Sequence, residues 1–177
     1  MNGNSMDYQD KEFVSKNFKR VDFTEKSFEN TSFDGCVFDG CNLSNIELKN
    51  ARFQSVIFRN CKVLGLNFSK CNKFALSFDF QDCLIRMTVF SGMDLKNGNF
   101  CDCEVLDCDF MGANLMKANF ESSDLRGSIF HDTNLSLASF KGAVNYDIDP
   151  NQVILKKTKF SVPEAVSLLK VFDIELE

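Results

Sequence analysis

Apolar side chains recur at every fifth position along most of this chain, and polar residues fill the positions between them. The first run extends from Phe13 to Phe68, and a second run extends from Ile85 to Phe140. An amphipathic helix needs apolar spacings of three and four residues, and a half-buried strand needs a spacing of two, so neither element explains a spacing of five. The pattern therefore predicts a stacked repeat architecture.

A small or modest side chain stands two positions before most of these apolar residues, and Asn or Asp often lies between the two. The stretches GANLM, KANFE, SSDLR and DTNLS show the whole pattern. The small positions include Cys36, Cys41, Ala51, Cys61, Cys71, Cys83, Cys103, Cys108, Ala113, Ala118, Ser123, Ser128, Thr133 and Ala138.

These units resemble the pentapeptide-repeat family, whose loose consensus is A-(D/N)-(L/F)-x-x, over about residues 13–144. The resemblance implies an all-β fold, a right-handed quadrilateral parallel β-helix in which four pentapeptides complete one coil. It also implies that the central Leu or Phe and the small residue before it point inward. The outer positions agree, because Lys, Asp, Glu, Asn, Ser and Gly dominate them. Residues 1–12 are expected to form an N-terminal cap.

The register changes between Phe68 and Phe90, which are 22 residues apart instead of 20. Small residues remain in phase at Cys71 and Cys83, so the two additional residues lie within 71–83. We expect a bulge or small kink there, because extra residues in regular β-structure usually bulge outward. Three phenylalanines compete for the inward places, and the pattern leaves open which of them is buried: Phe74, Phe78 and Phe80.

The five-residue pattern predicts an end to the coils at Val144, followed by a C-terminal tail over 145–177. Ser161 and Glu164 are spaced as a capping box, and apolar residues follow at helical spacing, which predicts a short α-helix near 162–172. We expect this tail to cap the open end of the solenoid. Family members that protect topoisomerases dimerise through this region, so the resemblance implies a homodimer; a cap without a dimer is the alternative. The predicted cap and dimer residues are Phe160, Ala165, Leu168, Leu169 and Phe172.

The charge and the N-terminal sequence exclude several partners. The formal net charge is -5 and the sequence pI is about 5.0, which argues against a chain-wide attraction to nucleic acid or to an anionic membrane surface. The first residues, MNGNSMDYQDKEF, lack the basic and apolar regions of a signal peptide. We therefore expect a cytoplasmic protein, without direct nucleic-acid or membrane binding, whose eight cysteines are reduced.

The cysteines and the single histidine predict no chemistry. Counting by coils stacks Cys41, Cys61, Cys83 and Cys103 in one inward ladder, where burial makes thiols inert. Cys101 follows an inward Phe and should face water, and His131 should lie on the opposite face. Since no G-x-S-x-G stretch or glycine-rich phosphate loop is present, we expect no enzyme and no catalytic, cofactor or metal site.

Charge is polarised along the chain. Residues 93–135 carry eight acids and three bases, whereas bases outnumber acids over 12–73. The predicted partner-binding residues are Asp102, Glu104, Asp107, Asp109, Glu121, Asp124 and Asp132. The polarity resembles that of the Qnr and MfpA families, whose acidic rods imitate the phosphate charge of duplex DNA.

That resemblance implies a non-enzymatic protein-binding solenoid, a DNA mimic that binds DNA gyrase or topoisomerase IV and protects them against quinolones. The alternative is a structural or scaffolding repeat protein with an unrelated protein partner. Fold resemblance does not separate the two.

Overall fold

The computed structural model describes residues 8–172 and 174–175, and it confirms a parallel β-solenoid of about seven coils. Its strands are short because each coil turns a corner every five residues. In chain order they are β1 Glu12–Val14, β2 Asn17–Lys19, β3 Ser32–Asp34, β4 Val37–Asp39, β5 Arg52–Gln54, β6 Val56–Arg59, β7 Lys62–Leu64, β8 Phe78–Gln81, β9 Leu84–Arg86, β10 Phe100–Cys101, β11 Glu104–Leu106, β12 Ser139–Phe140 and β13 Lys159–Phe160. Two 3₁₀-helices span Phe68–Lys70 and Glu164–Phe172.

Parallel pairing between successive coils builds four faces. Face A contains the sheet β1-β3-β5, face B the sheet β2-β4-β6-β8-β10 and the pair β12-β13, and face C the sheet β7-β9-β11. Face D is held by single bridges such as Asn67 to Val89 and Val89 to Asp109. The register is twenty residues within each run and 22 across the irregularity, as in Phe38 to Phe58 and Phe58 to Phe80.

Stacked phenylalanines form the core. On face D the ring of Phe110 lies 5.0 Å from that of Phe90 and 5.1 Å from that of Phe130, with interplanar angles of 9° and 4°. Rings on the opposite faces B and D meet edge to face across the core, as Phe110 and Phe120 do at 88°. Both geometries are favourable for aromatic pairs, so the ladders replace the layered core of an ordinary domain.

The small inward residues hydrogen bond to main-chain carbonyls, which explains why Cys, Ser and Thr are frequent there. The Ser123 hydroxyl donates to the Phe100 carbonyl at 2.6 Å and accepts from the Cys103 amide at 3.0 Å. The Cys36 thiol makes the corresponding contact to the Phe13 carbonyl at 3.3 Å. A small polar side chain therefore fills the space at the corner, and its own buried hydroxyl or thiol group is hydrogen-bonded to the main chain.

The Asn and Asp residues before the central position form a different set of contacts. The Asn119 side-chain oxygen accepts from the Glu121 amide at 3.0 Å, and its amide group donates to the Asn99 oxygen in the previous coil at 2.9 Å. The corners that follow take positive φ angles, for example 55° at Asn45 and 72° at Gly127. Asn, Asp and Gly tolerate that conformation best, which accounts for their abundance at the corners.

The irregularity is a bulge on face A, and it settles the competition among the three phenylalanines. Phe78 and Phe80 are buried, whereas Phe74 is 81% exposed. Phe80 continues the face B ladder, stacking on Phe58 at 4.9 Å. Phe78 occupies the position that holds Cys36 and Val56 in the preceding coils, and Gly98 stands at the corresponding place in the next coil.

The coils continue past Val144, where the sequence pattern predicts their end. Asn134 pairs with Ile154, and β12 pairs with β13, which places the Phe160 ring 5.1 Å from the Phe140 ring in a stacked arrangement. The boundary is therefore corrected to Phe160. The pattern hid this coil because Tyr146 and Ile148 fill the core through an irregular segment instead of at the five-residue positions.

The short C-terminal helix is confirmed, with two differences. It spans Glu164–Phe172 and is a 3₁₀-helix instead of an α-helix. The predicted capping box is wrong, because the Ser161 hydroxyl accepts from the Gly142 amide at 3.0 Å and so joins the helix entry to the preceding coil. At the other end of the rod Tyr8 is buried against Phe23 and Phe28; the rest of the predicted cap before Tyr8 lies outside the described residues.

Candidate partner-binding surfaces

The seven predicted acidic residues do not form a single strip. Glu104 and Asp124 are neighbours in one column of face C, as their bridge shows, and Asp102 and Asp107 lie at the two corners that border that face. The remaining three are spread over other parts of the rod: Asp109 on face D, Glu121 on face B, and Asp132 at the corner between faces D and A. Five-residue spacing rotates successive units by one face, so proximity in sequence separates these side chains in space.

Part of the acidic charge is already neutralised. Arg86 contacts Asp107 at 3.2 Å and Arg126 contacts Asp124 at 2.8 Å. Both arginines are more than half exposed, so each pair contributes at most about 1 kcal/mol to stability. Their larger effect is on the surface potential, since they cover one corner of face C and part of its centre.

The corner between faces B and C keeps its carboxylates free. Within the described residues, the side chains of Asp82, Asp102 and Glu104 make no ion pair, and Asp102 interacts with the Cys101 thiol. Asp82 and Asp102 occupy the same corner of successive coils. After desolvation, the negative charges of both carboxylates also raise the pKa of the Cys101 thiol. We name these three residues the acidic edge; Asp82 was missed in the sequence because it lies before the acidic half.

The whole band of coils containing this edge is strongly anionic. Residues 93–132, which make two coils, contain eight acids and three bases, a net charge of -5. At about 4.8 Å per coil this is one net negative charge per roughly 2 Å of axis, close to the ~1.7 Å of duplex DNA.

The thiols are arranged as the sequence predicts, with one adjustment. The ladder of Cys41, Cys61, Cys83 and Cys103 is buried. Hydrogen bonding among the neighbouring thiols of the ladder, together with burial, raises the pKa of Cys61 and of Cys83 to about 12. Cys101 is half-buried instead of fully open; desolvation raises the pKa of its thiol, although its sulfur accepts a hydrogen bond from the Asn99 amide at 3.3 Å. His131 is exposed on another face, so it cannot activate Cys101.

The bulge leaves an open edge on face A that the sequence did not reveal. The Asn72 amide donates to the Ala51 carbonyl at 2.8 Å, and the Ser77 amide donates to the Phe53 carbonyl at 2.9 Å, so the bulge is anchored to the coil before it. The coil after it receives no such bonds. Within the described residues, the main-chain N–H and C=O of Asp94 and the C=O of Lys96 have no main-chain partner.

A cavity of about 410 Å³ lies beside this open edge. The apolar residues that line it include Val56, Phe78, Leu95 and Phe100, and Gly98 leaves room by having no side chain. Asp79, Asp94 and Lys96 lie at its polar side. The volume falls at the lower end of the range of ligand pockets.

The predicted cap and dimer residues divide into two groups. Phe160 and Leu168 pack against the core, while Ala165 is half-buried. Leu169 and Phe172 are exposed, together with Val166 and Ile174 nearby. This end therefore both closes the solenoid and presents apolar side chains to solvent.

Comparison with known families identifies the repeat. A model described as a pentapeptide repeat region matches residues 11–86, and a model described as pentapeptide repeats (8 copies) matches residues 94–132 and 107–142. The chain is a pentapeptide-repeat protein. A comparison with curated proteins finds no match to this pentapeptide-repeat protein.

Solved structures of other pentapeptide-repeat proteins have a similar fold at low sequence identity. A trypsin-treated variant of QnrB1, a plasmid-mediated fluoroquinolone resistance protein, is 20% identical with a TM-score of 0.48, covering 96% of this chain and 92% of that chain. Full-length QnrB1 is 16% identical with a TM-score of 0.43, covering 93% and 98%. HetL, involved in heterocyst differentiation regulation in the cyanobacterium Nostoc sp. strain PCC 7120, is 14% identical with a TM-score of 0.36, covering 88% of each chain.

Among the described residues, no helix has the length and apolar character needed to cross a membrane. No group of three or more His, Cys, Asp or Glu side chains in the described ranges is arranged to hold a metal ion.

Proposed function

We propose that this pentapeptide-repeat protein is a non-enzymatic protein-binding rod that imitates DNA and binds a type II topoisomerase, DNA gyrase or topoisomerase IV. The observation that carries the proposal is the charge density of residues 93–132, about one net negative charge per 2 Å of axis. A surface that binds duplex DNA through its phosphates accepts such a rod through the same basic side chains.

The acidic edge is the centre of the proposed contact. Its three carboxylates are available to lysines or arginines of a partner, because no Lys or Arg of the described chain forms an ion pair with them. Charge-assisted hydrogen bonds to such groups are about twice as strong as neutral ones. Asp107 and Asp124 contribute less, since Arg86 and Arg126 compete for them.

The test is a supercoiling and DNA-cleavage assay with purified gyrase. We expect the protein to inhibit supercoiling at micromolar concentration and to reduce quinolone-stabilised cleavage, and we expect the double variant Asp102→Lys/Glu104→Lys to lose both effects. The matched control is Asp34→Lys/Asp39→Lys, which changes the net charge equally in the basic half of the rod. Equal losses in both variants would indicate a general charge effect, and no inhibition by the natural protein would leave the scaffolding alternative.

We also propose that two copies associate through the C-terminal end. Val166, Leu169 and Ile174 line a groove of about 360 Å³ that faces solvent. Apolar side chains gathered at one end of a rod are favourable only when they are covered. Size-exclusion chromatography with light scattering should give a dimer mass for the natural protein and a monomer mass for Leu169→Asp; a monomer mass for both refutes the dimer.

A further inference from the structure

We propose that the open edge on face A is a strand-addition site, where an extended segment of a partner protein pairs with the backbone of residues 94–96 and completes the missing rung. The inference is independent of the proposed topoisomerase function. It rests on three observations: unpaired main-chain groups, an apolar cavity beside them, and a bulge whose main-chain hydrogen bonds go to the preceding coil and not to these groups.

The unpaired groups have the pattern of a parallel strand edge. One coil further along, the same positions are all bonded: the Leu95 amide donates to the Asn114 carbonyl at 2.9 Å, and the Asn97 amide donates to the Met116 carbonyl at 2.9 Å. In the opposite direction, the Asn114 amide donates to the Met93 carbonyl at 2.8 Å. A regular rung before Asp94 would therefore donate to the Asp94 and Lys96 carbonyls and accept from the Asp94 amide.

The chain's own bulge does not supply these bonds. Its ends are bound to the preceding coil through Ala51 and Phe53, and the Ser77 hydroxyl accepts from the Ser55 amide at 2.8 Å. The amide of Phe74 donates to the Asn72 side chain at 2.9 Å, which keeps the tip of the bulge within itself. An edge with two free carbonyls and one free amide is a template for an added strand.

The cavity defines the chemistry of the occupant. A strand placed on this edge alternates its side chains, so one set points toward Val56, Phe78 and Leu95 and the other set faces solvent. Because the floor is apolar and the rim carries both Asp94 and Lys96, the inward side chain should be Leu, Ile, Val or Phe, and net charge should matter little. Phe74, which is exposed on the bulge, provides a further apolar contact at the rim.

The best probe is a strand that already makes this pairing elsewhere in the protein. A synthetic peptide of residues 111–119, MGANLMKAN, forms the corresponding rung one coil beyond Leu95. On the open edge, its Leu115 and Lys117 amides would donate to the Asp94 and Lys96 carbonyls, and its Ala113 carbonyl would accept from the Asp94 amide. Binding is measured by fluorescence anisotropy of the labelled peptide with the whole protein.

N-methylation of the peptide separates strand addition from apolar contact. A methyl group on the Leu115 nitrogen removes a donor that the site uses and should weaken binding about tenfold, the value of one lost hydrogen bond with an unpaired carbonyl. A methyl group on the Met116 nitrogen is the matched control, since in the protein that amide donates to the Asn114 side chain at 3.3 Å and not to a neighbouring coil. Equal binding of both methylated peptides would refute strand addition.

Hydrogen exchange gives a local readout. The Asp94 amide has no main-chain partner within the described residues, so it should exchange rapidly in the free protein and become protected when the peptide binds. Binding without protection of Asp94 would place the peptide elsewhere and overturn the proposal, as would the absence of any binding at millimolar peptide.

A deletion closes the site. Removing Lys73 and Ala75 converts CNKFALS into CNFLS, which restores a five-residue unit with Phe74 at the inward position. This variant should protect Asp94 without peptide and lose peptide binding; retained binding would refute the assignment. If the deletion prevents folding, the two methylated peptides and the exchange of Asp94 decide the question with the natural protein.

Discussion

Removing one ring from the middle of a phenylalanine ladder should be among the most damaging single changes to this protein. Phe110 is fully buried, stacked between Phe90 and Phe130 and in edge contact with Phe100 and Phe120. In Phe110→Ala the neighbouring rings cannot move into the cavity that the missing ring leaves. Main-chain hydrogen bonds, such as the one from the Phe110 amide to the Ile129 carbonyl at 2.9 Å, hold each coil in place. We therefore expect a loss of about 4 kcal/mol in the free energy of unfolding.

Two matched variants calibrate that loss. Phe110→Leu should cost less than about 1.5 kcal/mol, because Leu48 occupies the same ladder on face D and the volume change is small. Phe74→Ala removes an exposed ring and should stay within about 0.5 kcal/mol. Chemical denaturation followed by far-UV circular dichroism measures all three. A Phe110→Ala loss below about 1.5 kcal/mol, or an equal loss for Phe74→Ala, would refute the ladder as the source of stability.

Three more outcomes are expected. A thiol reagent at pH 8 should modify Cys101 alone in the native protein and all eight cysteines after denaturation, because the other seven thiols are buried and burial raises the pKa of Cys71, for example, to about 12. Rapid reaction of a second native thiol would contradict the burial. Ser123→Cys should lower the melting temperature less than Ser123→Val, since only a thiol can replace the bond to the Phe100 carbonyl, and the reverse order contradicts that role. Hydrogen bonds from Thr24 lower the pKa of Asp22, so the stability they provide is present above the ordinary carboxyl pKa and is lost as the pH falls. The variant Thr24→Val should therefore raise the pKa of Asp22 in an NMR titration. An unchanged pKa would contradict the hydrogen bond.

The fold follows from the sequence because an apolar residue marks the inward position at every fifth place, and over most of the chain a small residue two places earlier marks it again. The prediction fails where the apolar residue is missing. The coil after Val144 keeps Leu155 and Phe160 at twenty-residue steps from Leu135 and Phe140, but its intervening units contain Asn145 and Pro150 at the central places. Tyr146 and Ile148 fill the core there from irregular backbone, and a fixed spacing cannot identify such packing.

The helix shows a limit of local signals. Ser161 and Glu164 have the spacing of a capping box, yet the Ser161 hydroxyl is already bonded to the amide of Gly142 in the preceding coil. The spacing of a capping box predicts side-chain hydrogen bonds to the helix N-terminus only when those side chains have no stronger partner elsewhere. A contact across nineteen residues of sequence outweighs it here, and only the register of the last coil discloses that contact.

The two surfaces differ in how far sequence could reveal them. A count of acids along the chain finds the anionic band, because a net charge can be counted without knowing the geometry. The count cannot show that Arg86 lies beside Asp107, 21 residues away, or that Asp82 and Asp102 lie at the same corner near Cys101. The open edge is less accessible still, since it consists of main-chain groups that every residue has. What exposes it is a bulge bonded to only one of its two neighbouring coils. A two-residue insertion in a solenoid can therefore have two outcomes. It can bulge outward while the sheet on either side stays paired, or it can leave one coil without its hydrogen-bonded neighbour. The hydrogen bonds of Asn72 and Ser77, which go only to the preceding coil, show the second outcome here.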